Sequence, residues 1–332
     1  MQEPDEDFAE LTSRYGAHAA RRIWQLSQWA TREFIATLRR LDIVCDLSER
    51  DSVYYATRPD AVRSLRAEYR RRRAAGFGGR WLDARALRRA AGISGSAAIR
   101  TRGNAQFDPF RACLGLLRAA ERHGAYLFEH SAVHRIDRTA AGVTAVTRHG
   151  TIQAQRVVIA TGYATPEFRP LTARFRMKHT YVLATRPIAA RTRLELGVGD
   201  VMLWDTDRPY HYARWTRDDR LLLGGGDRPQ VSDARRARAF SEGRDKLRTY
   251  FETLFPPLAG IDIEYAWEGL FAMTPDGLPY IGPHRHYPGH LFALGYGGNG
   301  MTYGFLAARL LLDWFRGIQS ADYRLFAFGR HR

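Results

Sequence analysis

The sequence predicts a two-part fold, a layered α/β portion joined to an antiparallel α+β portion. Three observations carry that prediction. The apolar run Leu291-Phe292-Ala293-Leu294 enters Gly295-Tyr296-Gly297-Gly298-Asn299-Gly300, a Gly-x-Gly-x-x-Gly spacing, and a helix with Met301, Phe305, Ala308, Leu312 and Phe315 on one face follows. Val157-Val158-Ile159-Ala160 is apolar at every position, as a strand buried on both faces would be. Residues 175–228 break into short alternating runs, the period of a half-buried antiparallel sheet.

In chain order, residues 8–42 read as a helix because Ile23, Leu26, Ala30, Phe34, Leu38 and Leu41 recur at three- and four-residue steps. Residues 52–56 read as a strand and 60–75 as a helix closed by Gly76. Asp83 is placed to cap a short helix over 84–91, and 92–103 reads as a loop. Asp108-Pro109 opens a helix over 109–123, with Asp as N-cap and Pro in the first turn. Residues 126–130, 133–137, 143–148, 151–153 and 156–161 read as strands, with Ala141-Gly142 and His149-Gly150 as tight turns. Strands are expected over 180–185, 201–206, 210–215 and 220–224, a helix over 232–254, and a strand over 261–267.

The formal charge of +16 first suggests nucleic acid, but of the 51 basic residues only Lys178 and Lys246 are lysine. Arginine is scattered along the chain and its only dense run, Arg70–Arg73, falls on a predicted helix, so a compositional bias explains the charge better than a nucleic-acid stripe. Cys45 and Cys113 are the only cysteines and supply no metal or disulfide framework. The start Met1-Gln2-Glu3-Pro4-Asp5-Glu6-Asp7 is too acidic for a signal peptide. No apolar run is long enough to span a membrane, so a cytoplasmic protein without membrane or nucleic-acid partners is expected.

Three segments are candidates for chemistry. Ala160-Thr161-Gly162 ends a strand in small residues, which suits either a plain turn or a ligand approaching the backbone. Thr274-Pro275-Asp276-Gly277 has type I turn chemistry and can be a hairpin turn only. Gly297–Thr302 brings bare N–H groups to the positive end of a helix, a suitable place for an anion or an electron-rich carbonyl.

Together and in this order, these segments resemble the FAD-dependent amine oxidoreductases of the D-amino-acid oxidase superfamily, nearest the glycine, sarcosine and γ-glutamylputrescine oxidase-like group. The resemblance also takes in Gly103–Pro109, Tyr181–Pro187, Trp267-x-Gly269 and Thr274-x-Asp276-x-x-Pro279-x-x-Gly282, and covers nearly the whole chain. It implies a glutathione-reductase-like FAD-binding domain (1–40, 103–170 and 268–332) and an antiparallel-sheet substrate domain (41–102 and 171–267). It also implies that Val133 contacts adenine through its backbone and that Ala160, Thr161 and Gly162 pass near ribose and phosphates. Gly297, Gly298, Asn299, Gly300, Met301 and Thr302 would face the flavin ring. Tyr181, His211, Tyr212, Phe271 and Tyr296 would border a small-molecule amine, whose C–N bond is oxidised by hydride transfer to flavin.

Two departures qualify the resemblance. Residues 1–50 hold neither the strand–GxGxxG–helix unit nor the later acidic residue with which such proteins begin. Losing its charge-assisted hydrogen bonds would weaken FAD binding by about 5–10 kcal/mol. A truncated gene product, a mis-started frame and half of a split protein, with a separate chain supplying the missing N-terminal unit, all remain open. So does a non-catalytic remnant that keeps the fold and binds no FAD alone. The second departure is Phe271, where glycine-oxidase-like relatives place an Arg for the substrate carboxylate. An amine or N-substituted polyamine is then the expected substrate, unless a neighbour such as Arg214 takes over. Trp204, Tyr210, Tyr212 and Trp215 fit either a cage around a cationic amine or ordinary sheet packing.

Overall fold

The computed structural model describes residues 1–197 and 199–330. Helix α1 (Phe8–Arg40) buries Ile23, Leu26, Ala30, Phe34 and Leu38 along one side and breaks its helical geometry at Gly16. Strand β1 (Ser48–Ala56), α2 (Ala61–Ala74), β2 (Arg80–Asp83) and α3 (Ala84–Ala91) follow. Asp83 caps α3 by accepting from the Ala86 N–H at 2.7 Å, and left-handed Gly92 ends it. The expected loop after it is instead largely β3 (Ala97–Gln106), which pairs with both β1 and β2. Its Ala-rich, Gly-containing sequence has weak strand propensity, and two flanking ladders override that.

Helix α4 (Pro109–Arg122) is capped as expected, with Asp108 accepting from the N–H groups of Phe110 and Arg111. The strand expected over 126–130 does not form; Tyr126 is 87% exposed there and finds no ladder partner. β4 (Val133–Thr139), β5 (Gly142–Thr147) and β6 (Thr151–Ala154) form an antiparallel meander. Then come β7 (Val157–Gly162), α5 (Arg169–Thr172), β8 (Arg176–Thr185), α6 (Ala190–Leu196), β9 (Val201–Asp205), β10 (His211–Trp215) and β11 (Leu221–Pro229). The chain continues through α7 (Asp233–Leu254), β12 (Ile263–Met273), β13 (Tyr280–His284), β14 (Tyr287–Leu294), α8 (Gly300–Phe315) and α9 (Tyr323–Phe326).

The large sheet has eight strands in the order β12-β8-β11-β10-β9-β1-β3-β2. Among the described residues only β1 and β9 are parallel neighbours in it. Side chains alternate across a sheet, so register assigns faces. Val182, Gly224, Tyr212 and Trp204 stand in one cross-strand row, and Tyr181, Gly225 and His211 in the next, on the opposite face. Helix α7 covers the second face, where Leu247 and Phe251 join Tyr181, Leu183 and Leu223 in a core.

A smaller sheet, β13-β14-β7, carries the glycine corner. β14 and β7 are parallel, and α1 and α8 pack beside this sheet with Ile281, Leu291 and Ala293 in their shared core. β7 is less buried than its apolar sequence suggests. Ile159 is buried, but Val158 is 43% exposed and Ala160 and Thr161 are exposed. The physical reason is that β7 is an edge strand here: among the described residues no strand pairs with it beyond β14.

Candidate functional site

The site grows from the parallel pair β7–β14. Leu291, Phe292, Ala293 and Leu294 are all buried and fix β14 in place. Leu294 lies opposite Gly162, and the Gly295 N–H donates to the Gly162 carbonyl at 2.8 Å. The carboxyl ends of both strands therefore stop side by side, where α8 begins. Carboxyl ends of parallel strands and a helix N-terminus are where backbone donors converge on a ligand. Ala160–Gly162 and Gly297–Thr302 are brought together at this corner. Val133 is on a different sheet, at the start of β4.

The corner is already in contact with the acidic N-terminal segment. The Gly298 N–H donates to Asp5 Oδ2 at 2.6 Å. Asn299 Nδ2 donates to the carbonyls of Met1 and Glu3 at 3.0 and 2.9 Å, and Thr302 Oγ1 donates to the Met1 carbonyl at 2.8 Å. Burial raises the Asp5 carboxyl to about 6 although the Gly298 N–H pulls it down. Asp7 is raised to about 6 by burial and the nearby Glu68 charge. Glu6 is raised to about 8 by burial and by its hydrogen bond with Glu10.

The facing wall comes from the large sheet. A Cβ on Gly298 would collide with the Tyr210 hydroxyl, and one on Gly297 would lie 3.2 Å from Met273 Sδ. Tyr210 and Tyr212 have ring centroids 6.1 Å apart, and Tyr212 Oη lies 3.5 Å from Thr180 Oγ1. Burial raises the Asp227 carboxyl, opposed by a hydrogen bond from Thr180 and by the Lys178 charge. Lys178 stands directly opposite Phe271 in the β8–β12 ladder.

These placements sort the residues expected from sequence. Tyr212 and Phe271 share the corner-facing side with Lys178 and Thr180. Tyr181 and His211 do not: both lie on the reverse face beneath α7, where a Cβ on Gly243 would come within 2.6 Å of the Tyr181 ring and Tyr250 stacks on His211 at 3.8 Å. The reason is the strand period of two, which sends neighbours such as His211 and Tyr212 to opposite sides. Trp215 is on the reverse face as well, while Trp204 stacks on Tyr54 at 3.8 Å, so the aromatic residues form packing pairs and no single cage. Tyr296 braces the corner by donating to the Ala293 carbonyl at 2.7 Å, and burial pushes its phenol up to about 12. Arg214 does not neighbour Phe271 in the sheet. It aligns with Leu222 and Ala184, whereas Phe271 aligns with Lys178, roughly 20 Å away along β8. Sequence reading missed Asp5, Thr180 and Asp227; the Gly224-Gly225-Gly226 run before Asp227 was the available signal.

Residues 8–314 match the family described as DAO, FAD dependent oxidoreductase. The chain belongs to this family. It is 30% identical over 242 residues to γ-glutamylputrescine oxidoreductase of Escherichia coli (strain K12), covering 71% of this chain and 54% of that protein. It is 25% identical over 218 residues to glycine oxidase of Bacillus subtilis (strain 168), covering 62% and 53%. The chain thus spans about half the length of the curated relatives it matches. The structure of glycine oxidase from Geobacillus kaustophilus superposes with a TM-score of 0.80 at 22% identity, over 93% of this chain and 84% of that one, so the mixed α/β fold is that of the DAO oxidases. Among the described residues no helix is long and apolar enough to cross a membrane.

The donor set fits the family's cofactor at one end. The Gly298 N–H, at the start of α8, already holds a carboxylate, so the corner accepts an electron-rich group of the kind a flavin ring presents. The close approach of Tyr210 and Asp5 to Gly297 and Gly298 shows that any side chain there would fill the cradle.

Proposed function

We propose that this chain carries the substrate side and the flavin-ring side of an oxidoreductase that oxidises the C–N bond of an amine or amino acid. The observation that carries the reading is the convergence of β7, β14 and the α8 N-terminus opposite the sheet face bearing Lys178, Thr180, Tyr212 and Phe271. FAD, when bound, supplies the two-electron acceptor for a hydride from the substrate carbon. Gly297–Thr302 would hold its ring, Ala160–Gly162 its ribose and phosphates, and Val133 its adenine. The small sheet with α1 and α8 then acts as the FAD-binding domain and the large sheet as the substrate domain.

The chemistry of the wall favours an amine over an α-amino acid. Phe271 offers a carboxylate nothing, whereas Asp227 suits a cationic ammonium group. Oxidation needs that amine neutral, and a carboxylate raised by burial is better matched to take its proton than an ordinary one. Tyr210 and Tyr212 supply the apolar walls.

The open edge of β7 indicates how the phosphate end would be completed. Val158 and Tyr163 are exposed on or beside β7, and Met301, Leu312 and Phe315 on α8. Arg156 stacks over Trp314 at 4.4 Å, so the two elements form one surface. A β–α unit from another chain would pair with β7 and cover this surface. A second reading, a fold-retaining subunit that takes no FAD alone, is favoured by the occupation of Gly298, Asn299 and Thr302 by residues 1–5.

The test is to purify the chain, add FAD, and follow the visible flavin band before and after anaerobic addition of putrescine or of glycine. Retained flavin bleached faster by putrescine supports the amine reading. A folded, colourless chain that gains flavin only with a β–α partner supports the subunit reading. Failure to hold flavin under either condition overturns both.

A further inference from the structure

The reverse face of the large sheet carries a second polar centre that the glycine corner does not use. Asp205 closes β9 and is completely buried. Its Oδ1 accepts from the backbone N–H groups of Asp207 and His211 at 3.0 and 3.1 Å. Its Oδ2 accepts from Tyr250 Oη at 2.6 Å and lies 3.0 Å from His211 Nδ1. Tyr250 also stacks on the imidazole with 14° between the planes, and Tyr55 Oη sits 2.9 Å from Tyr250 Oη. Ring plane and Nδ1–H are thereby both fixed, and Nε2 is the nitrogen left over.

His211 lines a cavity of about 780 Å³ between α7, the β9–β10 turn and the irregularity in β11. Arg58, Arg208, Arg228 and Lys246 line it too, against the carboxylates of Asp207 and Asp227. Asp207 is engaged by Thr57 Oγ1 at 2.6 Å. Asp227 borders both this cavity and the corner-facing wall.

We propose that this cavity binds a small multivalent anion, with Arg228 and Lys246 as its partners. Four cationic residues line the space, of which Arg228 also pairs with Glu242 at 3.4 Å and Arg58 with Asp60 at 3.5 Å; guanidinium and ammonium groups are the usual partners of phosphate and carboxylate oxygens. The rival is a divalent cation, because ligand atoms of Asp205, Asp207 and His211 lie within 4.8 Å of one another. Two facts weigh against it. Both Asp205 oxygens already accept hydrogen bonds, and His211 Nδ1 is turned to Asp205. A metal ion would also add positive charge to a space already holding four cations. The inference stands independently of the flavin reading, since the test needs neither FAD nor turnover.

The experiment is thermal unfolding and calorimetric titration of the chain with pyrophosphate and, separately, citrate, each against sodium chloride at matched ionic strength. The expected result is saturable binding, with Tm rising by on the order of 3 °C at a hundredfold excess over Kd. Preference for pyrophosphate assigns a phosphorylated ligand, and preference for citrate a polycarboxylate. Arg228→Gln with Lys246→Gln should weaken binding at least about tenfold. Arg191→Gln, on exposed α6, should leave binding unchanged. The proposal is overturned by no response beyond that to sodium chloride, by equal weakening in Arg191→Gln, or by stabilisation with manganese or zinc and not with either anion.

Discussion

Replacing Asp5 by Asn should make the protein more stable at neutral and higher pH. Asp5 is partly buried, its carboxylate rests on the Gly298 N–H, and its carboxyl is raised from 3.8 to about 6. A carboxyl raised in the fold stabilises it fully below the unfolded value, and that contribution is lost as pH climbs through the folded value. Above both values the charged carboxylate costs the fold at most about 3 kcal/mol. Partial exposure and solvent screening bring this to about 1–2 kcal/mol. Asn keeps an oxygen that can accept from Gly298, so the hydrogen bond survives while the charge goes. Urea unfolding at about pH 5 and about pH 8 measures the effect. Because the lower pH lies between the unfolded and folded values, the variant should gain about half as much there as the about 1–2 kcal/mol it gains at the higher. Part of the pH slope should persist in the variant, because Asp7 and Glu6 titrate at about 6 and about 8 in the same segment. Parallel pH profiles for the two proteins, or a variant less stable at the higher pH, would refute the reasoning.

The remaining expectations test other parts of the fold. Asp276 meets Arg330 in a two-pronged pair at 2.5 and 2.7 Å, and against the upward push of burial Arg330 holds it well below the usual carboxylate range. Asp276→Asn should strand the Arg330 charge and lower stability by about 3–5 kcal/mol, read as a fall in the urea midpoint. Gly243→Ala gains about 1 kcal/mol of helix propensity. It also drives a methyl into the Tyr181 ring at a cost of about 1–3 kcal/mol, so a net loss in Tm is expected, and a gain would show that α7 can lift from the sheet. Gly298→Ala should abolish flavin retention, measured by absorbance, because its Cβ collides with Tyr210. Phe271→Arg should shift the ratio of kcat/KM for glycine over putrescine upward by about tenfold or more, and an unchanged ratio would remove Phe271 from the substrate wall.

What the sequence made legible follows the strength of each local signal. The long helices α1, α7 and α8 show a 3.6-residue period or strong termini, and the Asp83 and Asp108 caps act within three residues of themselves. The glycine corner was legible because strand, glycines and helix are contiguous. β3 was hidden because its stability comes from two partner strands and little from its own composition. Residues 126–130 misled in the opposite way, since aromatic residues signal a strand only where a ladder receives them. The pairing of Asp5 with Gly298 joins residues at opposite ends of the chain, and no local pattern encodes it. Tyr181 and His211 were grouped with Tyr212 by the family resemblance, and only the ladder register separates them.

The scarcity of lysine acquires a use once the two lysines are located. Lys178 stands beside Phe271 on the corner-facing wall, and Lys246 stands on the cationic cavity behind the same sheet. Amine-directed labelling therefore has just two side-chain targets in the whole chain. Each reports on a different face, and peptide mass separates the two. Protection of Lys178 by flavin or amine, and of Lys246 by an anion, can be followed in one sample without introducing any tag.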